Sequence, residues 1–380
     1  MELFSLVWDN VVPFVFVLTV LVFVHEMGHY WVARRCGVRI EVFSIGFGPE
    51  LFGWNDRSGT RWKVSAVPLG GYVKMFGEGD LVEDEEGRER ALSDEEKKVS
   101  FAHKRLGQRA AIVAAGPLAN FLLAVVLLGG LFALAGSPRL LPVVATVQAD
   151  SAADQAGIQP GDHILSVAGE EMHWFDDLRR AIADLPGAET EIVLRRGDAE
   201  YAVKVVPRVV SVPDPAGGTR EVGQLGVTAD AAQVGYLRYG PATAVWKALE
   251  TTVVMSGRIL GYLGEIIVGA KPADEVGGPL RIAQMSAEVA AGGFVNLVNF
   301  MAVLSINLGL INLFPIPMLD GGHLVFFGAE AVRGRPLGPR TQEYGFRFGL
   351  ILVFLLMIFA TWNDLVYHFK FIEFIKQLVT

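Results

Sequence analysis

His25-Glu26-Met27-Gly28-His29 lies at the inner end of the first apolar run of this 380-residue chain. Residues 11–24 carry no charge, and the run resumes through residues 30–33. Histidines four apart share one face of a helix, about one turn from each other, so both imidazoles can reach one metal ion. Glu26 sits beside them, free to act as a base rather than a ligand, in the H-E-x-x-H arrangement of zinc hydrolases. Ionisable groups are costly in a membrane-like segment, so their presence there points to function.

Working outward, residues 11–33 are long enough to cross a hydrocarbon layer of ~30 Å. Arg34, Arg35 and Arg39 follow at once and assign that end to the cytoplasm by the positive-inside rule. Residues 38–75 change to short β-rich runs broken by glycine turns, Gly70-Gly71 among them, and predict a small sheet lying against the membrane. Residues 78–98 are strongly acidic and are expected to be a solvated loop. Lys104, Arg105 and Arg109 precede a second apolar run, 110–135. Within it, Gly116-Pro117-Leu118-Ala119-Asn120 places a helix breaker and an amide at membrane depth, and Asn120 is a candidate to face the active centre and bind substrate.

Apolar residues make up 52% of the chain and charged ones 19%, a balance that predicts several spans plus a polar part. The net charge of −8 gives no support to nucleic-acid binding. Cys36 is the single cysteine, which excludes an intrachain disulfide and a cysteine-rich zinc site. The start of the chain lacks a basic segment and a cleavage site, so no cleaved signal peptide is expected. Residues 141–208 carry four strand-like runs and one helix signal, an α+β domain. Residues 209–293 are expected to be a linker followed by an amphipathic helix over 241–268. There Lys247, Glu250, Arg258 and Glu265 fall on one face, which favours the membrane interface over a further span.

A third span is predicted at 294–314 and a fourth at 346–362. The third ends in Asn312-Leu313-Phe314-Pro315-Ile316-Pro317-Met318-Leu319-Asp320-Gly321-Gly322-His323, where prolines and a diglycine break the helix and leave Asp320 at membrane depth. An isolated carboxylate there needs a partner, and a metal is the most economical one. A catalytic zinc takes three protein ligands. Residues 30–36 contain no histidine, so Asp320 is the leading third ligand and His323 the alternative. Asn307 and Asn312 are candidates to hold substrate backbone or a developing oxyanion. A transmembrane substrate must unwind before cleavage, and the sheet of residues 39–75, with Gly70 and Gly71, offers an edge on which an unwound strand could be laid.

The ordered set His25-Glu26-Met27-Gly28-His29, Gly70-Gly71-Tyr72-Val73, Gly116-Pro117-Leu118-Ala119-Asn120 and Asn312 through Gly322 resembles the site-2 proteases. The segment Ala156-Gly157-Ile158-Gln159-Pro160-Gly161-Asp162 between them resembles a PDZ core. The likeness spans almost the whole chain and is nearest to the bacterial regulator-of-sigma-E group. It implies a polytopic α-helical membrane protein of about four transmembrane helices, with a small membrane-associated β-sheet and one periplasmic PDZ-like domain. It implies one Zn2+ per chain on His25, His29 and Asp320, with Glu26 as base. It also implies residence in the bacterial inner membrane with the active site near the cytoplasmic side. The substrates expected are single-span membrane proteins, such as an anti-sigma factor after a first cut, or signal-peptide remnants. A peptide or chain terminus is the expected PDZ ligand, and the lipid bilayer the other partner. Well-known enterobacterial members have two tandem PDZ domains, and this chain has room for one. A metal sensor or PDZ scaffold without protease activity is the competing function.

Overall fold

The structure, a computed structural model, describes residues 2–77, 81–83, 89–213, 218–272 and 277–368. It divides into one unit of Met1–Leu131 with Pro241–Thr380 and a second of Phe132–Gly240.

The first unit opens with α1 (Glu2–Arg35), which continues through Pro13. Two bent strands follow, β1 (Ile40–Asn55) and β2 (Arg61–Met75). Residues 42–45 of β1 lie between residues 61–64 and residues 71–74 of β2. Among the described residues no third strand pairs with residues 71–73 on the side away from β1, so they stand at the edge of the sheet. The sheet is held to α1 by aromatic packing. Phe43 is fully buried, with its ring stacked on Trp62 at 4.3 Å and edge-on to Tyr30 at 5.7 Å. At the hairpin turn, Asp56 accepts hydrogen bonds from the Ser58 and Thr60 backbone, from Trp62 Nε1 and from the Tyr30 hydroxyl. The outer end of the hairpin leaves Phe47, Leu51, Phe52, Trp54 and Val67 exposed.

The segment expected as a solvated acidic loop carries regular structure among its described residues. It contains the hairpin β3 (Leu81–Glu83) and β4 (Glu89–Ala91) and a short helix, α2 (Asp94–Val99); residues 78–80 and 84–88 of that expectation lie outside the described residues. The order has a local cause. Ser93 and Glu96 form a reciprocal capping box that satisfies two backbone donors of the first turn. Next, α3 (Leu106–Leu134) is continuous past Pro117. Gly28 lets α1 and α3 close on each other, since a Cβ there would overlap the Ala115 carbonyl and lie 2.8 Å from the Ala119 methyl.

The second unit holds β5 (Ser137–Leu140), β6 (Val144–Val147), α4 (Ala152–Gln155), β7 (His163–Val167), β8 (Glu170–Glu171), α5 (Phe175–Ala183), β9 (Thr190–Arg196) and β10 (Ala199–Val205). It continues with β11 (Arg208–Pro213), β12 (Thr219–Gln224), β13 (Val227–Ala229) and β14 (Val234–Leu237). A four-stranded sheet runs β10-β9-β7-β8, and Ile164, Leu178, Ile192 and Leu194 are the heart of the core. The expected linker is a correction: β11, β12, β13 and β14 fall within it. β11 and β12 pair with each other, β13 returns to pair with β6 and β14 with β5, while residues 214–217 lie outside the described residues. The unit thus extends beyond the expected 141–208 on both sides. Asp162, fully buried, receives a two-pronged ion pair from Arg196, at 2.7 Å to each oxygen.

The chain re-enters the first unit with α6 (Pro241–Ile267), α7 (Pro279–Ala291), α8 (Phe294–Leu313), α9 (Asp320–Arg333) and α10 (Pro339–Asn363), which runs on as a π-helical turn, Asp364–His368. Ala244, Ala248 and Thr252 form the buried stripe of α6, which meets α3 at Gly129 and carries Met255 and Ile259 to Ala124, Ile306 and Leu310. Asp364 caps α7 by accepting from the Gly278 and Arg281 N–H groups at 2.8 and 3.0 Å. Helix α9 was not expected, because Gly321-Gly322 reads as a breaker. Both glycines instead fill its first turn, where a Cβ would overlap the carbonyls of Leu313, Phe314 or Ile316. Among the described residues four helices are long and apolar enough to cross a membrane: Val11–Arg35, Leu106–Leu134, Phe294–Leu313 and Arg340–Val366.

Candidate metal centre

The first unit brings α1, α3 and α9 together at one point. His25 and His29 stand on the same face of α1 with their Nε2 atoms 3.2 Å apart. Asp320, the first residue of α9, reaches them from the other end of the sequence. Its Oδ2 lies 3.2 Å from His25 Nε2 and its Oδ1 lies 3.5 Å from His29 Nε2. The three residues could hold one metal ion, since their ligand atoms all lie within 4.8 Å of one another. Donors placed tetrahedrally at zinc's usual distances would be about 3.3 Å apart, so the set fits zinc closely. Asp320 Oδ2 supports the same fit: it is buried and accepts no hydrogen bond, a costly state that a cation relieves.

One stripe of α3 serves both histidines. Ile112, Gly116 and Asn120 recur every four residues and so share a face. His29 Nδ1 donates to the Ile112 carbonyl at 2.9 Å, which leaves Nε2 bare for a metal. Gly116 supplies room, because a Cβ there would overlap His29 Nε2 and lie 2.9 Å from His25 Cε1. Asn120 is fully buried with its amide 3.2 Å from His25 Nδ1. The Ser305 hydroxyl on α8 donates to the Asn120 carbonyl at 2.7 Å and ties α8 to the same stripe. Farther along, Arg109 of α3 pairs with Glu330 of α9, both largely buried, and its guanidinium lies 5.0 Å from the Phe327 ring centre.

Glu26 faces the sheet side of the centre. The Val73 N–H donates to its carboxylate, and a Cβ on Gly71 would lie 3.4 Å from Glu26 Cγ and 2.7 Å from the Ser44 carbonyl. Gly70 is forced to be glycine, with φ of +145° and the Phe47 ring where a Cβ would stand. The sheet edge at residues 71–73 therefore runs beside the carboxylate.

The structure thus gathers His25, Glu26, His29, Asn120, Gly71 and Asp320. Asn307 and Asn312 are half-buried on α8, and no hydrogen bond ties either side chain to the described residues around the centre. His323 stands outside the ligand cluster, with its ring 5.1 Å from Phe346. Sequence reasoning missed Ile112, Gly116, Ser305 and Val73. A spacing of four through Ile112, Gly116 and Asn120 was the available signal for two of them.

Residues 13–356 match the profile of peptidase family M50. The chain is 48% identical over 370 residues to a protein of Rhizobium meliloti (strain 1021), covering 95% of this chain and 98% of that one. It is 45% identical over 360 residues to one of Agrobacterium fabrum (strain C58 / ATCC 33970), covering 93% and 95%. Both relatives carry provisional zinc-metalloprotease names. Metalloprotease MmpA of Caulobacter vibrioides (strain ATCC 19089 / CIP 103742 / CB 15) is 36% identical over 386 residues, with 95% and 97% covered. A PDZ domain of an SdrC-like protein from Listeria monocytogenes aligns with 23% of this chain and 84% of its own length. Its identity is 19% and its TM-score 0.18, a likeness too slight to bear on the fold.

Proposed function

The chain belongs to peptidase family M50 and is a multi-pass membrane zinc metalloprotease, and from that premise we propose a finer reading. It is an intramembrane endopeptidase that cuts single-span membrane proteins within or near their transmembrane segment. One zinc per chain is held by His25, His29 and Asp320, and Glu26 is the base. The observation that carries this reading is the meeting of three ligand atoms within 4.8 Å, two of them on the apolar span Val11–Arg35, with Glu26 alongside.

Zinc, when bound, supplies a Lewis acid that polarises the scissile carbonyl and makes water acidic enough to be deprotonated near neutral pH. Glu26 takes the proton from the attacking water at its carboxylate and returns it to the departing amide nitrogen. The Val73 N–H holds that carboxylate toward the centre. The sheet edge at residues 71–73 takes up an unwound stretch of substrate, since a helix offers no free carbonyl and an added strand does. Asn307 and Asn312 are proposed to donate to substrate backbone. The hairpin end bearing Phe47, Phe52 and Trp54 is proposed to rest in the bilayer.

By the same proposal the enzyme resides in a bacterial inner membrane, with the centre toward the cytoplasm, where Arg34 and Arg35 end α1. The unit Phe132–Gly240 is a PDZ-like periplasmic domain that takes a peptide or chain terminus. Substrates are an anti-sigma factor already trimmed by a first protease, and signal-peptide remnants. The test is cleavage of a single-span reporter with a shortened outer domain by purified enzyme and by Glu26→Gln, with zinc counted in each. Cleavage by the wild type alone, with zinc in both, is expected. Zinc in both with no cleavage of several reporters would transfer the site to a sensor or scaffold.

A further inference from the structure

His29 and His25 present the same chemical problem, and α3 solves it differently for each. A neutral imidazole binds a cation through one nitrogen when the proton sits on the other. For His29 the acceptor of that proton is fixed: Nδ1 faces the Ile112 carbonyl. For His25 the group opposite Nδ1 is the Asn120 amide, whose Nδ2 stands 3.2 Å away. An amide that donates to Nδ1 puts the ring proton on Nε2, the atom that must be bare to join the metal cluster. Asn120 Oδ1, meanwhile, is buried and accepts nothing, although the residue is completely shielded from solvent.

The tautomer difficulty has a direct answer. Turning the amide half a revolution about its last bond exchanges oxygen and nitrogen in nearly the same volume. Oδ1 then accepts the Nδ1 proton and frees Nε2. We infer that Asn120 is a positioning residue for the metal ligand His25, its side-chain oxygen accepting from Nδ1–H in the metal-bound enzyme as the Ile112 carbonyl does for His29. This replaces the expectation that Asn120 contacts substrate, and it rests on the metal-site reading above. The Ser305 hydroxyl, by holding the Asn120 carbonyl at 2.7 Å, steadies the backbone from which the amide works.

The experiment uses the purified full chain and measures zinc affinity by chelator competition for wild type, Asn120→Leu, Asn120→Asp and Asn120→Ala. The absorption spectrum of each cobalt-substituted protein and the KM for a reporter are recorded alongside. Asn120→Leu keeps the shape without the acceptor and is expected to weaken zinc binding about 10- to 100-fold, with KM unchanged. Asn120→Asp keeps an acceptor and is expected to retain wild-type affinity and spectrum. Asn120→Ala serves where the leucine does not fold, and the expectation for it is the same loss. Independently of any variant, nitrogen NMR of labelled histidine in the zinc-loaded wild type is expected to find His25 protonated at Nδ1. Wild-type affinity in the leucine or alanine variant, a rise in KM instead of a loss of zinc, or a proton on Nε2 overturns the inference. A wild type that binds no zinc would overturn the metal-site reading itself.

Discussion

The carbonyl oxygen of Ile112 stands 2.9 Å from Nδ1 of His29, so a backbone group on one membrane helix sets which nitrogen of a histidine on another can bind metal. That bond gives α3 a part in the metal centre although it contributes no ligand. Three predictions extend from that centre, and a fourth from the second unit.

Gly116→Ala adds a single methyl where His29 Nε2 now lies. The helices are already in contact at Gly28, so the added carbon displaces the imidazole rather than the backbone. Zinc affinity measured by chelator competition should fall at least about tenfold. The neighbouring Gly107→Ala, where a Cβ would meet nothing within 4 Å, should leave it unchanged.

Glu26→Gln retains the volume of the side chain and removes its basicity. Reporter cleavage should fall by about 100-fold or more, the usual range for a lost general base, with bound zinc unchanged. Loss of zinc in that variant would count Glu26 among the ligands and refute its assignment as base.

Much of this was readable from the chain, and the residues show why. His25 and His29 announce themselves because helical periodicity is local, and Asp320 because a lone carboxylate in an apolar stretch is expensive. The Ile112 carbonyl had no such mark: every residue carries one, and the fold alone selects which is used. Asn120 was noticed for its polarity but assigned to substrate, since its facing of His25 depends on how α1 and α3 cross. The strands β11 to β14 were hidden because a sequence rich in glycine and proline reads like a linker until the runs on either side are seen to pair. Helix α9 was hidden by Gly321 and Gly322, which are there for close packing against carbonyls and not to stop a helix.

Gly71→Ala tests the sheet edge. The methyl would stand 2.7 Å from the Ser44 carbonyl and 3.4 Å from Glu26 Cγ, so either the edge or the base must shift. Displacements of that order at a reacting centre cost up to about 100-fold in rate. Cleavage should drop accordingly while zinc stays bound, whereas Gly59→Ala at the distant turn, strained by its φ of +86°, should lower stability more than rate.

The second unit should weaken in acid. Burial pushes the Asp162 carboxyl upward, but hydrogen bonds from Arg196 and the Gln159 N–H outweigh it and hold the group below the usual carboxylate range. A folded-state pKa below the unfolded value of ~3.9 means the stabilisation is complete above about pH 4 and disappears as pH falls through the lower folded value. His163 adds in the same direction: burial, then the charge of Arg195, lower its pKa, so its contribution is complete above about pH 6.5 and declines below it. Amide exchange of β7 and β9 in the full chain, corrected for intrinsic rates, should lose protection as pH falls from neutral to 4, through His163, and again below pH 4, through Asp162. Asp162→Asn should flatten the lower part of that curve.

The meeting of His25 with Asp320 has a consequence for how the enzyme is made. A ribosome releases α1 with both histidines and the base early, then the whole unit Phe132–Gly240, and Asp320 only near the end. A nascent chain therefore carries two of three ligands through most of its synthesis. Its first spans pass into the bilayer before the candidate centre is whole. Linear order along the gene thus delays that centre until α9 meets α1 and α3.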